Sequence, residues 1–203
     1  MEFFRRAVGA PQRLAILAGT FHPPTVAHMA LARAGLSLAE EVLLVLPREL
    51  PHKSFSGVGF PERLEMLLAA AAEEPRFSVA ASRHGLFVDI ARECRAAYGP
   101  ATSLVFLCGR DAAERFLSWD YGRPGAVQKM LEEFELAVAD RQGRYAPPPE
   151  FAGRIRRLPL DAGLDEVSAT EVRRRIAAGQ PWEHLVPEAV APLVKRYYGV
   201  AAQ

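Results

Sequence analysis

The sequence predicts an α/β protein built on a doubly wound parallel sheet with helices on both faces. Three observations carry this. Short apolar runs with few polar positions recur along the 203 residues, as expected of strands buried on both sides. Helix-length amphipathic segments separate them, which is the pattern of strand–helix–strand crossovers. Finally, Leu-Ala-Ile-Leu-Ala-Gly-Thr-Phe-His-Pro-Pro-Thr-Val-Ala-His at 14–28 reads as a buried strand, a tight turn and a helix start. Folds of this class build anion sites in that way.

Taken in order, strands are expected at 14–18, 41–46, 77–81, 103–107, 134–139 and 154–160. Helices are expected at 25–35, 61–73, 86–98, 109–118, 124–133, 168–178 and 187–198. The first strand runs from Leu14 to Ala18 and stops at Gly19, whose missing Cβ allows close backbone approach to a ligand. Thr25 is an N-cap type, which places His28 in the first turn of the helix. Pro47 ends the second strand. The loop 47–60, with two Pro and two Gly, is long for a connector and reads as a binding loop. Pro61 opens a helix with Leu64, Leu67 and Leu68 on one face. Gly99-Pro100 stops the helix before 103–107. Pro147-Pro148-Pro149 forms a stiff loop, and Pro187 is expected to start the last helix. Gly19, Pro47, Gly109 and Asp140 each follow a strand. Ligands of such sheets bind at the carboxyl ends of the strands, so these four segments should converge on one crevice.

The length suits one domain, with a core over about 14–165 and C-terminal helices over about 166–203. No repeat, charge block or linker divides it. A net charge of +1 gives no reason to expect nucleic acid or an acidic membrane as partner. The N-terminal apolar run is too short for a signal peptide or a membrane span. Cys94 and Cys108 lack metal-ligand or redox spacing and the five His are scattered, so no protein metal site is expected and a cytoplasmic location fits. Gly57-Val58-Gly59 follows no strand and lacks a third Gly, which removes a dinucleotide fingerprint. A homo-oligomer is compatible with the sequence.

Several residues stand out as chemistry. An imidazolium at His28 opposes the positive end of its helix unless an anion sits nearby, which makes His28 a candidate phosphate ligand. Ser168 and Glu171 have capping-box spacing, leaving Thr170 and Arg173 to explain. Lys53 follows Pro51-His52 in the long loop, in a chain where all but three of the 25 cationic side chains are Arg. Asp111 follows Gly109-Arg110 at the end of a strand and could cap the next helix. Trp119 comes eight residues after Asp111.

Together these motifs resemble the nucleotidylyltransferase superfamily, and within it the nicotinate/nicotinamide mononucleotide adenylyltransferases. Gly19-Thr20-Phe21-His22-Pro23-Pro24-Thr25-Val26-Ala27-His28 resembles GTFDPPHxGH in its TxGH form. It departs at His22, where Asp or Asn is usual, and at Ala27, where Gly is usual. Ser168-Ala169-Thr170-Glu171-Val172-Arg173 resembles the second signature, ISSTxIR. Pro51-His52-Lys53 resembles PPHK, Gly109-Arg110-Asp111 the family's Gly-x-Asp, and Arg141-Gln142-Gly143 its R-x-G. The segment Gly85-Leu86-Phe87-Val88-Asp89 is shorter than its family counterpart and lacks the counterpart's Ser and Thr.

The resemblance implies a Rossmann-like fold and transfer of AMP from ATP to nicotinate or nicotinamide mononucleotide, with Mg²⁺ on the triphosphate. It implies His28, Lys53 and Arg173 as catalytic. Gly19, Thr20, Phe21, Thr25, Gly109, Asp111, Ser168 and Thr170 would join His28 and Arg173 around ATP. Phe87, Asp89, Trp119 and Arg141 would join Lys53 around the mononucleotide. Phe87 could stack on a ring and Asp89 could cap its helix. Two other readings stay open at this level: a nucleotidylyltransferase with another phosphorylated acceptor, and a nucleotide-binding protein without turnover.

Overall fold

The computed structural model describes residues 1–49, 58–140, 143–160 and 162–199. Their strands are β1 (Glu2–Arg5), β2 (Arg13–Ala18), β3 (Glu41–Pro47), β4 (Phe77–Ser82), β5 (Ser103–Cys108), β6 (Glu135–Ala139) and β7 (Ile155–Leu158). They form one sheet in the order β1-β4-β3-β2-β5-β6-β7. Six strands are parallel, with Leu14 of β2 opposite both Glu41 of β3 and Leu104 of β5. The helices are α1 (Val26–Gly35), α2 (Phe60–Ala71), α3 (Phe87–Tyr98), α4 (Arg110–Ser118), α5 (Ala126–Glu133), α6 (Ala169–Ala177) and α7 (Ala191–Tyr198).

Alternation along each strand sorts the core into two layers. Ala15 and Leu17 of β2 face one layer with Met29 of α1, Met66 and Leu67 of α2, Val172 of α6 and Val194 of α7. Leu14 and Ile16 face the other, with Ile90 of α3, Phe116 of α4 and Met130 of α5. Helices therefore cover both faces, as the unbroken apolar strands required. The C-terminal helices α6 and α7 bury Val172 and Val194 in the same layer as α1 and α2.

Two expectations are corrected. The sheet is not wholly parallel: β1, ahead of the first expected strand, pairs antiparallel with β4, with Glu2 opposite Ala81. Four residues, only half-buried, carry too little periodicity to announce a strand. Their ordering comes from a distance. Arg5 donates to the carbonyls of Phe77 and Glu74 at 3.1 and 3.0 Å, and the Phe3 ring meets Tyr98 edge-on at 5.8 Å. The second correction concerns Pro187. It precedes a single 3₁₀ turn, Glu188–Val190, and α7 proper begins only at Ala191.

Candidate active site

At the carboxyl ends of the central strands the chain opens into a cleft of about 780 Å³. Gly19, Pro47, Gly109 and Asp140, the four strand-following positions, all line it. It lies where the strand order reverses between β2 and β5, so crossovers leave toward opposite faces and a crevice opens between them. The N-termini of α1, α3, α4 and α6 also face it, through Thr25, Phe87, Arg110 and Thr170 among others. Unsatisfied N–H groups and the positive ends of helix dipoles thus converge on one space, which favours an anion.

Thr25 is the N-cap of α1 and His28 is its N3 residue. The Thr25 hydroxyl accepts from the His28 N–H at 3.3 Å, and Nδ1 of His28 accepts from the Thr25 N–H at 3.0 Å. His28 therefore completes a capping box, the role usually given to Glu or Gln. This sharpens the reading of the imidazole. A ring nitrogen that accepts a backbone N–H carries its lone pair, so the proton of the neutral ring sits on Nε2. His28 lines the cleft, and with Nδ1 engaged by the cap, Nε2 is the ring nitrogen placed to donate to a ligand.

Phe21 corrects an expectation. Its ring is fully buried and does not line the cleft. The ring packs against His28 at 5.3 Å, while its backbone adopts a left-handed φ of 45°. A bulky residue in that region costs about 1–3 kcal/mol and persists only where its surroundings impose it. Here the flanking carbonyls are both held. Nη1 of Arg63, from α2, donates to the Thr20 carbonyl at 3.1 Å. Nη1 of Arg173, from α6, donates to the His22 carbonyl.

That second contact brings the two sequence signatures together across 151 positions. Nη2 of Arg173 also donates to Thr170 Oγ1 at 3.3 Å, and Ser168 caps α6 by accepting from the Glu171 N–H at 3.0 Å. Glu171 does not return the favour, because its carboxylate pairs with Arg174 and Arg175. The expected capping box is thus half formed.

His22, the odd residue of the turn, does not line the cleft. Its ring lies 5.4 Å from Tyr198. Burial, then the Arg173 and Arg63 guanidinium groups, lower its pKa from 6.5 to about 4. Above pH 6.5 the ring is neutral whether the chain is folded or not. Below that, the unfolded chain takes up a proton that the folded chain refuses, so stability falls as pH drops from about 6.5 toward 4. Partial solvation limits the loss to on the order of 1–2 kcal/mol. Denaturation at pH 7.5 and 4.5 should show a smaller loss for His22→Asn than for the native chain; equal losses would refute the assignment.

On the opposite wall, Asp111 and Trp119 both line the cleft from α4. Asp111 does not cap that helix: Gly109 is the N-cap, without a side-chain cap bond. Phe87 lines the cleft, but one face of its ring stacks on Phe106 at 4.5 Å and 18°. Asp89 neither lines the cleft nor caps α3, whose N-cap is Leu86. It pairs with Arg92 at 3.3 Å instead. Lys53 and Arg141 lie outside the described residues. Gly19, Thr20, Thr25, His28, Gly109, Asp111, Ser168, Thr170 and Arg173 are brought together as the motifs implied.

Sequence reasoning missed Arg63, Arg110 and Arg115. Arg110 and Arg115 line the cleft, and Arg110 donates to the Gly143 and Arg144 carbonyls at 3.1 and 3.3 Å. Arg63 could have been found. It occupies the first position of the buried stripe Arg63, Met66, Leu67, Ala70, Ala71, and a cation on an apolar helix face needs a partner.

A strand–turn–helix with a capped His, facing a second helix N-terminus that carries Thr and Arg, defines a nucleotide-handling α/β fold. A family model described as cytidylyltransferase-like matches residues 16–175, which places the chain in that class of nucleotidyltransferases. A probable nicotinate-nucleotide adenylyltransferase of Exiguobacterium sibiricum is 30% identical over 192 residues, covering 91% of this chain and 97% of the relative. A relative of the same name from Stenotrophomonas maltophilia is 34% identical over 208 residues, covering 87% and 91%. The chain belongs to the nicotinate-nucleotide adenylyltransferase family. The fold is also that of Plasmodium falciparum nicotinic acid mononucleotide adenylyltransferase complexed with NaAD, with a TM-score of 0.70 at 15% identity over 94% of this chain and 99% of that one.

Proposed function

We propose that this chain transfers the adenylyl group of ATP to nicotinate mononucleotide, in the synthesis of NAD. An oxygen of the mononucleotide 5′-phosphate attacks the α-phosphorus of ATP, and the bond to the β-phosphate oxygen breaks, releasing pyrophosphate. The observation that carries this reading is the meeting of the 19–28 turn with the α6 N-terminus at one cleft, tied by Arg173 to the His22 carbonyl. The names of the relatives favour nicotinate over nicotinamide.

No protein nucleophile is required, because such a transfer is accelerated by positioning and charge stabilisation. Thr20 and the N-termini of α1 and α6 hold phosphate oxygens. His28 donates from Nε2 at the α/β bridge, and Arg173 balances charge on the departing pyrophosphate. Gly109 and Asp111 adjoin the adenosine, while Phe87 and Trp119 adjoin the pyridine ring. Lys53 guides the mononucleotide phosphate and Arg141 supports the same substrate; both assignments rest on the family motifs alone. Among the described residues no three of His, Cys, Asp and Glu are grouped to hold a metal ion. Mg²⁺ fits here as an ion carried on the triphosphate, bound through phosphate and water. No helix among the described residues is long and apolar enough to cross a membrane. We infer one unit, with α6 completing the site, working in the cytoplasm.

Pyrophosphate release from ATP, measured across phosphorylated acceptors including both mononucleotides, tests the reading. Release with nicotinate mononucleotide supports it. Release only with another acceptor, or ATP binding with no release, overturns it. Gly109 gives a second test. A Cβ added there meets no atom within 4 Å, and its φ of −81° suits any residue. Gly109→Ala is expected to change stability by no more than about 0.5 kcal/mol and to raise the KM for ATP several-fold. An unchanged KM would remove Gly109 from the adenosine site.

A further inference from the structure

Arg63 is nearly fully buried, at 3% exposure. It does not line the cleft, yet it reaches the turn that does. Its Nε donates to the Gly59 carbonyl at 3.2 Å and its Nη1 to the Thr20 carbonyl at 3.1 Å. Thr20 itself lines the cleft, so a residue of the site has its carbonyl held by an arginine of α2 that stands outside the cleft.

The next residue shows why the carbonyl needs holding. Phe21 stands at φ 45° with its ring locked in the core. Rotating the Thr20–Phe21 peptide plane by about half a turn would carry that φ into the broad extended region, where a bulky side chain is comfortable. The same rotation would exchange the positions of the Thr20 carbonyl and the Phe21 N–H, setting a negative oxygen where the turn now presents a donor. Backbone preference and ligand chemistry therefore oppose each other at this peptide, and the Arg63 guanidinium decides between them. Arg173 does the corresponding work at the His22 carbonyl, but Arg173 also lines the cleft, whereas Arg63 does not.

We propose that Arg63 is a positioning residue: it latches the Thr20 carbonyl away from the cleft and keeps the phosphate turn in its anion-accepting form. The proposal rests on reading the 19–28 turn as the ATP phosphate site. Arg63 acts through Thr20 and touches no reacting atom. Its anchor on the Gly59 carbonyl fixes the latch to the start of α2, so the turn is held to a rigid helix and not to its own loop.

The test uses the full chain and ATP binding by calorimetry, with kinetics and thermal unfolding alongside. Arg63→Ala is expected to weaken ATP binding about 10- to 100-fold, the range for losing a charged hydrogen bond, with KM for ATP rising more than kcat falls. Methylguanidinium, added to occupy the vacated space, should recover part of the ATP affinity. Arg63→Lys keeps the charge but cannot fork between Gly59 and Thr20, so its affinity should fall between the two. ATP affinity unchanged in Arg63→Ala overturns the proposal. So does a restored unfolding midpoint on adding methylguanidinium without any gain in ATP affinity, since that is what a purely structural arginine would show. If Arg63→Ala does not fold, Arg63→Lys decides: native ATP affinity overturns the latch and reduced affinity sustains it. A native chain that fails to bind ATP overturns the phosphate reading itself, which the variants cannot mimic.

Discussion

Replacing His28 by Ala is expected to lower turnover roughly 10²–10³-fold, the usual cost of deleting one preorganised donor to a transition state. The structure separates this from a folding effect. Nδ1 of His28 accepts the Thr25 N–H and closes the capping box of α1, so the Ala variant should also lose about 1 kcal/mol of stability. His28→Glu isolates the two contributions. Glu at N3 is the usual capping-box residue and should restore the cap, while removing the Nε2–H and adding a charge that repels phosphate. Its unfolding midpoint should return toward the native value with no recovery of turnover. Native-like turnover in His28→Ala, or recovery in His28→Glu, would show that the imidazole serves the helix and not the reaction.

Arg173→Ala carries the second large effect. It removes a cation from the cleft and also frees the His22 carbonyl and Thr170 hydroxyl that the guanidinium holds. ATP affinity should fall about 10- to 100-fold, and Arg173→Lys should recover only part, because one ammonium cannot reproduce a planar fork. A readout independent of nucleotide exists in His22. The Arg173 charge helps to depress its pKa to about 4, so titration followed by NMR should place the His22 pKa higher in Arg173→Ala. An unmoved His22 would mean that the two groups are not neighbours, and an unchanged ATP affinity would refute the phosphate role.

The parts of this site that were legible in the sequence share a physical character: they depend on neighbours within a few positions. The Thr25 cap and the placement of His28 in the first turn of α1 follow from local hydrogen bonds three residues apart, and both are observed. The Ser168 cap of α6 is of the same kind. Convergence of Gly19, Pro47, Gly109 and Asp140 was also readable, because parallel strands buried on both faces leave only one end for their outgoing loops. Expectations failed where a side chain had a choice. Asp89 sits close enough to a helix start to cap it, yet α3 begins at Leu86 without a side-chain cap. Phe21 lies inside a phosphate motif, yet its ring packs in the core beside His28 while its backbone stays left-handed.

By itself, the sequence determined the sheet class, six strands with the helices between them along the chain, and the caps of α1 and α6, since periodicity and capping are properties of a few consecutive residues. Only the tertiary structure decided the antiparallel edge strand β1, which is ordered by contacts to β4 some seventy positions away. The partners of the phosphate turn were decided in the same way. Arg63 reaches Thr20 across 43 positions and Arg173 reaches His22 across 151. Such pairings depend on which strands lie side by side and on the reversal of order between β2 and β5, and local periodicity carries no record of either.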